Sequence, residues 1–306
     1  MLPIVLAIAP VFLLIFLGYA IRARHLLADR FWEPAERLIY FVLFPALLVA
    51  TLADAEFADL DIAPMAGALV AAIGAMVAVL LLLRPLLSLS GPAYTSVFQG
   101  VVRQNTYIGL AVAFAVFAEQ GLAGAAVAVA VIVPLVNLLS VTVLARFGTG
   151  GQASWLGAAR QVARNPLIIA CAVGILLNVT GIGLPPVVGP LLEILGRAAL
   201  PLGLMAVGAG LDLTAARTAG PPVAVAVGLR LIALPAVTVL ACQLLDVGPV
   251  AAFVAILFNA TPASPSSYIL ARLLGGDARL MAGIVTVQTA LSLVTLPLVL
   301  TFGVLA

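Results

Sequence analysis

Two long apolar stretches of the chain carry polar side chains at their centres. In the first, residues 92–118, these are Gln99, Arg103, Gln104, Asn105, Thr106 and Tyr107. In the second, residues 249–272, they are Asn259, Thr261, Ser264, Ser266 and Ser267, interspersed with Pro262 and Pro265. Guanidinium, amide and hydroxyl groups can bind a carboxylate, and free backbone carbonyls can bind a small cation. Both stretches are therefore candidate parts of a binding site inside a membrane.

Specific roles follow from the residue types. Arg103 is the predicted electrostatic partner of an anion, and Asn105 and Asn259 are predicted hydrogen-bonding ligands. Thr261, Ser264 and the backbone beside them form a predicted cradle for a cation or a carboxylate. The predicted substrate-binding set is Arg103, Gln104, Asn105, Thr106, Tyr107, Asn259, Thr261, Pro262, Ser264 and Ser266.

Pro262 and Pro265 predict that the second stretch is a broken helix. Each proline lacks an amide donor, and its ring clashes with the preceding turn. Backbone groups left free in a bilayer persist only beside a ligand, water or packed protein. The alternative is a proline kink whose backbone groups are satisfied by Ser and Thr. The first stretch has no proline after Pro92, so its break is predicted from Asn105, Thr106 and Gly109 alone.

Two arginines are predicted deep in the membrane without a carboxylate partner. Arg103 and Arg230 both fall near the middle of apolar stretches, whereas Arg197 can pair with Glu193 four residues earlier. A surplus guanidinium favours an anionic ligand. The alternative, stronger for Arg230, is a hydrogen-bonded staple between helices.

The composition places the chain in a lipid environment. Of its 306 residues, 64% are hydrophobic and only 8% are charged, whereas soluble domains carry about a quarter charged residues. This excludes a soluble protein, a disulfide scaffold and a nucleic-acid binder. His25 is the only histidine, which excludes a His-based metal or haem site. No Ser/His pair or Asp-rich motif lies at depth, so we predict neither an enzyme nor a cofactor.

Charge and Pro/Gly interruptions divide the chain into ten predicted membrane spans. A span needs about 20 apolar residues. The predicted spans are 2–21, 34–53, 62–83, 92–118, 121–145, 165–182, 187–211, 219–245, 249–272 and 279–302. Eleven Arg lie in or beside the loops after odd-numbered spans, and none lies in the loops after even-numbered spans. By the positive-inside rule, both termini are predicted to be extracytoplasmic.

The sequence does not identify the coupling ion. Proton-driven carriers often use a buried carboxylate, yet the interiors of spans 3–5 and 8–10 contain none. Candidates for contact with a coupling ion are Asn137, Gln288 and Arg230, and bonding to a neighbouring helix is the alternative for each. Na+ and H+ both stay possible.

An internal repeat relates the two halves of the chain. Pro10, Gly18, Pro34 and Pro45 recur 156 positions later as Pro166, Gly174, Pro190 and Pro201. Five spans per half is an odd number, so the second copy is predicted to be inverted, as in many secondary transporters. The predicted division is a first repeat at 1–146, a cytoplasmic linker at 147–164 and a second repeat at 165–306.

Four passages of the sequence resemble the auxin efflux carrier family of membrane transporters. They are LGYAIRARHLLADRFWEPAERLIYFVLFPALLVATLA, RNPLIIACAVGILLNVTGIGLPP, PLGLMAVGAGLDL and NATPASPSSYILA. The resemblance implies an all-α polytopic protein with two inverted five-helix repeats, as in bile acid sodium symporters and sodium/proton antiporters. It also implies a scaffold of spans 1, 2, 6 and 7, a mobile transport domain of spans 3–5 and 8–10, and broken spans 4 and 9 that cross at the site. Homodimers through the scaffold are a further implication.

Plant members carry Asn-Pro-Asn-x-Tyr at this crossover, whereas this chain has Arg103 through Tyr107 without the proline. Together with the residues above, the resemblance predicts a secondary transporter of small organic anions, auxin-like or malonate-like carboxylates, by an elevator mechanism in a bacterial inner membrane. The alternatives are a sodium-coupled symporter of larger anions, of the bile acid or keto acid type, and an anion channel.

Overall fold

A computed structural model of the chain describes residues 2–56, 61–149, 160, 163–217 and 220–303. Within these residues the fold is helical and contains no strand. Seven described helices are long and apolar enough to cross a membrane, namely α1 (Leu2–Ala23), α2 (Asp29–Ala53), α3 (Ile62–Leu83), α5 (Thr106–Phe147), α7 (Val188–Ala209), α9 (Pro221–Leu244) and α12 (Ala278–Gly303). The shorter helices are α4 (Gly91–Val102), α6 (Pro166–Val179), α8 (Leu213–Arg217), α10 (Pro249–Ala260) and α11 (Ser266–Leu274).

The fourth and ninth predicted spans are each interrupted, and the predicted loop between the fourth and fifth spans is helical. The fourth predicted span is split between α4 and the beginning of α5. α5 then continues through the predicted loop and the fifth span, with a kink at Phe117 and at Ala118, whose φ is 47°. The ninth predicted span is split into α10 and α11. The count of ten spans stays a prediction, and most of the predicted linker at 147–164 lies outside the described residues.

Local capping explains where several helices begin and end. Asn165 Oδ1 accepts a hydrogen bond from the amide of Leu167 at 2.9 Å, and Pro166 opens α6 in the position where a missing amide costs least. α11 ends at Gly275, whose φ of 74° terminates a helix readily because glycine has no Cβ.

Helix ends are joined on two opposite faces of the molecule. On one face, Asn178 Nδ2 at the end of α6 donates to the carbonyl of Ala53 at 3.0 Å. On the other, the amide of Thr149 donates to the carbonyl of Gly275 at 3.0 Å. We call the first the arginine-free face and the second the arginine-rich face, after the loops that the sequence assigns to each.

The helices pack in two groups. In the first group, α1 packs along α7, and α2 packs against α6 and α7. In the second, α9 packs against α3 and α10, α5 against α4 and α10, and α12 against α4, α9, α10 and α11. α5 also contacts α1, α2, α6 and α7, so it forms much of the boundary between the groups.

Glycines allow unusually close helix crossings in the first group. A Cβ placed on Gly18 of α1 would lie 2.0 Å from the carbonyl oxygen of Met205, and one on Gly208 of α7 would lie 1.8 Å from that of Ile15. Gly174 of α6 also lies close to α2, where a Cβ would meet the Cβ of Leu52 at 2.8 Å. Gly18 and Gly174, the glycine pair of the sequence repeat, thus both lie at helix crossings.

Candidate functional site

The two polar segments cross each other between interrupted helices. Gln104 and Ala263 form an antiparallel bridge. Around it, the amide of Asn105 donates to the carbonyl of Pro262 at 2.9 Å, and the amide of Ser264 donates to that of Arg103 at 3.0 Å. These bonds satisfy backbone groups that leave the helical pattern deep in the fold. The crossing therefore joins the end of α4, the start of α5, the end of α10 and the start of α11.

The interruption between α4 and α5 contains an asparagine cap and no proline. Arg103 and Asn105 adopt extended conformations, with φ/ψ of −94°/107° and −79°/98°. Asn105 Oδ1 accepts from the amides of Tyr107 and Ile108 at 3.1 and 3.2 Å, which caps α5. On the second segment, Thr261 is extended with ψ of 151° directly before Pro262.

Arg230 of α9 lies beneath the crossing and is completely buried. Its Nε donates to the carbonyl of Thr261 at 2.7 Å, and its Nη1 to that of Val101 at 2.9 Å. Its Nη2 donates to the carbonyl of Phe258 at 3.1 Å and to Thr261 Oγ1 at 3.2 Å. The guanidinium thus contacts the carbonyl ends of both α4 and α10, which carry partial negative charge.

Gln288 of α12 is the second buried side chain that holds the crossing together. Its Oε1 accepts from the amide of Ala263 at 2.8 Å, and its Nε2 donates to the carbonyls of Gly100 and Ala226 at 3.1 and 3.0 Å. Both polar atoms of its amide group therefore contact backbone, and together they join three different segments of the chain.

We expect Gln288→Leu to lower the free energy of unfolding by about 2 kcal/mol, because leucine leaves the buried amide of Ala263 without its acceptor and removes a donor from the carbonyls of Gly100 and Ala226. Thermal unfolding of the detergent-solubilised protein measures the loss. Thr301→Val is the matched control on the same helix, since Thr301 Oγ1 bonds only the carbonyl of Pro297 at 2.7 Å among its described contacts. Equal melting temperatures for the two variants would contradict the expectation.

Arg103 differs from Arg230 because its side chain is only partly buried. Nη1 donates to Asn137 Oδ1 at 2.6 Å and Nη2 to Ser266 Oγ at 3.0 Å, while Nε has no partner. Ser266 is itself exposed and lies 2.9 Å from Ser264, hydroxyl to hydroxyl. The guanidinium, held by two neutral side chains, thus reaches the exposed surface beside Ser266. We call this exposed point the opening.

Arg103 is not balanced by a carboxylate within the part of the chain that the structure describes. The ion pairs there are Arg22 with Asp29 and Arg197 with Glu193. The titratable side chain that interacts electrostatically with Arg103 is the phenol of Tyr40 on α2, and a tyrosine is neutral at pH 7. A positive charge therefore remains available at the opening.

Several buried polar atoms at the crossing have no hydrogen-bond partner among the described residues. They are Nε of Arg103, both amide atoms of Gln104, Nδ2 of Asn105 and Oδ1 of Asn259. Buried polar atoms in folded proteins are nearly always hydrogen-bonded. The concentration of such atoms around the crossing is what a polar ligand site requires.

The two asparagines that the sequence pairs have different hydrogen-bond partners in the structure. Asn105 uses Oδ1 to cap α5, as described above. Asn259 is fully buried on α10 and donates through Nδ2 to Thr238 Oγ1 of α9 at 2.9 Å. Thr238 carries no sequence signal, because it is a single hydroxyl in an apolar stretch. Thr106 and Tyr107 begin α5 and are partly exposed, whereas Thr261 and Pro262 are buried.

An aromatic pair lies beside the crossing, at the start of α5. Tyr107 stacks on Phe44 of α2 with ring centroids 4.6 Å apart. Gly203 of α7 lies against both rings, since a Cβ there would be 3.1 Å from Phe44 and 3.4 Å from Tyr107. Phe44 and Gly203 also escape sequence analysis, because neither residue is polar.

Beyond this aromatic pair lies a cavity of about 1240 Å³ between α1, α2, α5 and α7. Its lining includes Leu47, Ala111 and Leu204, which lie within about one turn of Phe44, Tyr107 and Gly203. Asp54 and Glu119 place its mouth at the arginine-free face. The described lining includes none of the predicted substrate-binding residues, so the cavity is separate from the crossing.

The family model described as "Membrane transport protein" matches residues 155–300. It is the domain of the auxin efflux carrier family. This chain carries the auxin efflux carrier domain. The matched region contains α6 to α11 and nearly all of α12, including Arg230, Asn259 and Gln288. No protein of curated function matches the sequence.

The family match and the helices give a consistent general function. A membrane transport domain and seven apolar helices of sufficient length, counted over the described residues, define a multi-pass membrane transport protein. Families of this kind are typically not enzymatic.

Proposed function

We propose that this auxin efflux carrier family protein is a secondary transporter of small organic anions, with the substrate carboxylate bound at Arg103. The observation that carries the proposal is the guanidinium of Arg103, which lies at the opening between interrupted helices and whose side-chain hydrogen-bond partners among the described residues are Asn137 and Ser266. A guanidinium binds carboxylates in preference to most other groups. The unpartnered amide atoms of Gln104 and Asn105 supply further donors.

The start of α5 adds to the attraction for an anion. Helix N-termini carry partial positive charge, and both α5 and α11 begin beside Arg103. The carbonyl ends of α4 and α10 are held by Arg230, away from the opening. Positive and negative helix ends are thus sorted to different sides of the crossing, and the open side is the positive one.

We propose that alternating access is of the elevator type. α1, α2, α6 and α7 form the scaffold, and α3, α4, α5 and α9–α12 form the transport domain. Support comes from the packing into two groups, and from the aromatic pair beside the crossing and the separate cavity at the arginine-free face. Moving the transport domain along α2 and α7 would break the stack of Tyr107 on Phe44 and expose the crossing to that cavity.

Two inverted repeats of five helices are part of the same proposal. The repeat glycines support it, because Gly18 brings α1 onto α7 and Gly174 brings α6 onto α2. This is the reciprocal pairing that an approximate two-fold relation between the halves produces. The arginine distribution supports a bacterial inner membrane location with both termini extracytoplasmic.

We propose a homodimer that associates through the scaffold. Support comes from α1, whose outward side chains are large and apolar, with Leu13 65% and Phe16 66% exposed. Lipid covers this surface in a monomer, so chemical crosslinking in native membranes measures whether a second copy does.

Counterflow in liposomes tests the transport mechanism. Vesicles loaded with unlabelled malonate or another small carboxylate should accumulate the labelled compound transiently and with saturation, because a carrier exchanges one bound molecule for another. An anion channel, the alternative from a different class, would dissipate the gradient without counterflow. A larger anion, such as a bile acid or a keto acid, transported only with Na+ would favour the symporter alternative instead. Failure of every carboxylate to produce counterflow would refute the proposal.

A further inference from the structure

The carbonyl ends of α4 and α10 converge on one guanidinium. Such converging ends carry partial negative charge, and in carriers with interrupted helices they commonly coordinate Na+. In this chain the carbonyl oxygens of Val101, Phe258 and Thr261 lie 2.9, 3.1 and 2.7 Å from the nitrogens of Arg230. Each of these oxygens is therefore already engaged by a positively charged donor.

We propose that Arg230 is a built-in cation at the crossing, which occupies the carbonyl cluster that a coupling Na+ would need and makes transport independent of Na+. A metal ion would have to displace the guanidinium from all three carbonyls. The cluster therefore does not fit Na+ as long as Arg230 is present. This inference rests on the proposed transport function, which leaves the coupling ion open.

Burial and charge distinguish Arg230 from an ordinary hydrogen-bonded staple. The side chain is 0% exposed, and none of the described ion pairs includes it. An isolated buried charge is costly, so its compensation must come from the two helix ends and from Thr261 Oγ1 at 3.2 Å. The helix ends need a positive charge as much as the guanidinium needs acceptors.

Because Arg230 bonds both α4 and α10, it would move with the crossing as one unit during transport. Its charge cannot dissociate into either compartment, unlike that of a bound ion. Such a charge stabilises the crossing without linking transport to an ion gradient. Arg103 and Arg230 thus divide two tasks, since one faces the opening and the other replaces a cation.

Variants of Arg230 separate its charge from its hydrogen bonds. Arg230→Ala removes both, Arg230→Gln keeps amide donors without charge, and Arg230→Lys keeps the charge. Melting temperatures of the purified variants are measured in choline chloride and after equimolar replacement by NaCl or by dilute guanidinium chloride. We expect NaCl and guanidinium to leave the melting temperature of the parent unchanged. We expect one or both of them to restore a large part of the stability that Arg230→Ala loses. We expect Arg230→Lys to be more stable than Arg230→Gln.

Transport by the parent gives a measurement that needs no variant to fold. Replacement of Na+ by choline on both sides of the vesicles should change counterflow by less than about twofold, because no cation binding is linked to transport.

Two results would overturn the proposal. One is a parent whose flux or melting temperature depends on Na+, and the other is an Arg230→Gln protein as stable as the parent and insensitive to added cations. The melting measurements require no transported substrate, so absent counterflow with the expected melting pattern would refute only the proposed function.

Discussion

Arg103→Gln is expected to slow carboxylate counterflow about 100-fold, because the variant loses the charge that compensates a desolvated carboxylate and keeps only neutral donors. The size of the effect follows from the surroundings of Arg103, where the described neighbours within hydrogen-bonding distance are the neutral side chains of Asn137 and Ser266. Initial rates of counterflow in liposomes measure it. Arg103→Lys keeps the charge but not the bidentate geometry, so its initial rate should lie between the rates of Arg103→Gln and the parent.

Asn137→Asp provides an independent way to remove the same charge. The substitution changes almost no volume, and it places a carboxylate at the position of Asn137 Oδ1, 2.6 Å from Nη1 of Arg103. An internal ion pair would then compete with the substrate, so transport should fall about as far as in Arg103→Gln while the protein stays folded. Arg272→Gln, an exposed arginine of α11 on the same face, is the control and should transport like the parent. Parent-like counterflow by Arg103→Gln would remove Arg103 from the site.

Gly18→Ala is expected to lower the free energy of unfolding by about 3 kcal/mol, at the upper end of the usual cost of overpacking. The added methyl group would lie 2.0 Å from the carbonyl oxygen of Met205, which is backbone and cannot rotate away. α1 and α7 must therefore separate along their crossing. Thermal unfolding in detergent, together with the yield of folded protein, measures the loss.

Gly74→Ala is the matched control for this substitution. Gly74 also lies within an apolar helix, but a Cβ there has no atom within 4 Å. Alanine should raise stability by about 0.5 kcal/mol, because glycine weakens a helix interior. The double variant of Gly18 and Gly208 should lose less than the sum of the two single losses, since one separation of α1 from α7 relieves both contacts. Equal stability of Gly18→Ala and Gly74→Ala would contradict the close crossing.

Much of the architecture could be predicted because the bilayer restricts what a chain can do. Apolar runs of sufficient length must be helices, and Pro262 and Pro265 cannot continue one. The ends of spans were harder to place. The kink of α5 at Phe117 and Ala118 replaces a predicted loop, because positive φ at a single alanine leaves no compositional signal.

The two deep arginines show how far the sequence can predict the role of a site residue. Arg103 and Arg230 are alike in the sequence, since each is one charge in an apolar stretch with no acidic partner. Only the fold gives Arg230 the carbonyls of two interrupted helices and leaves Arg103 at an opening. Residue type sets what a guanidinium can bind, whereas its partners include residues more than a hundred positions away in the chain.

The sequence alone therefore determined the helical membrane class, the position of the two polar breaks and the presence of unpaired positive charge, because composition and local backbone chemistry decide these features. The tertiary structure alone decided that the breaks cross, that Asn259 bonds Thr238, and that Phe44, Tyr107 and Gly203 lie together beside the crossing. These features depend on contacts between distant segments, and no local pattern encodes such distances.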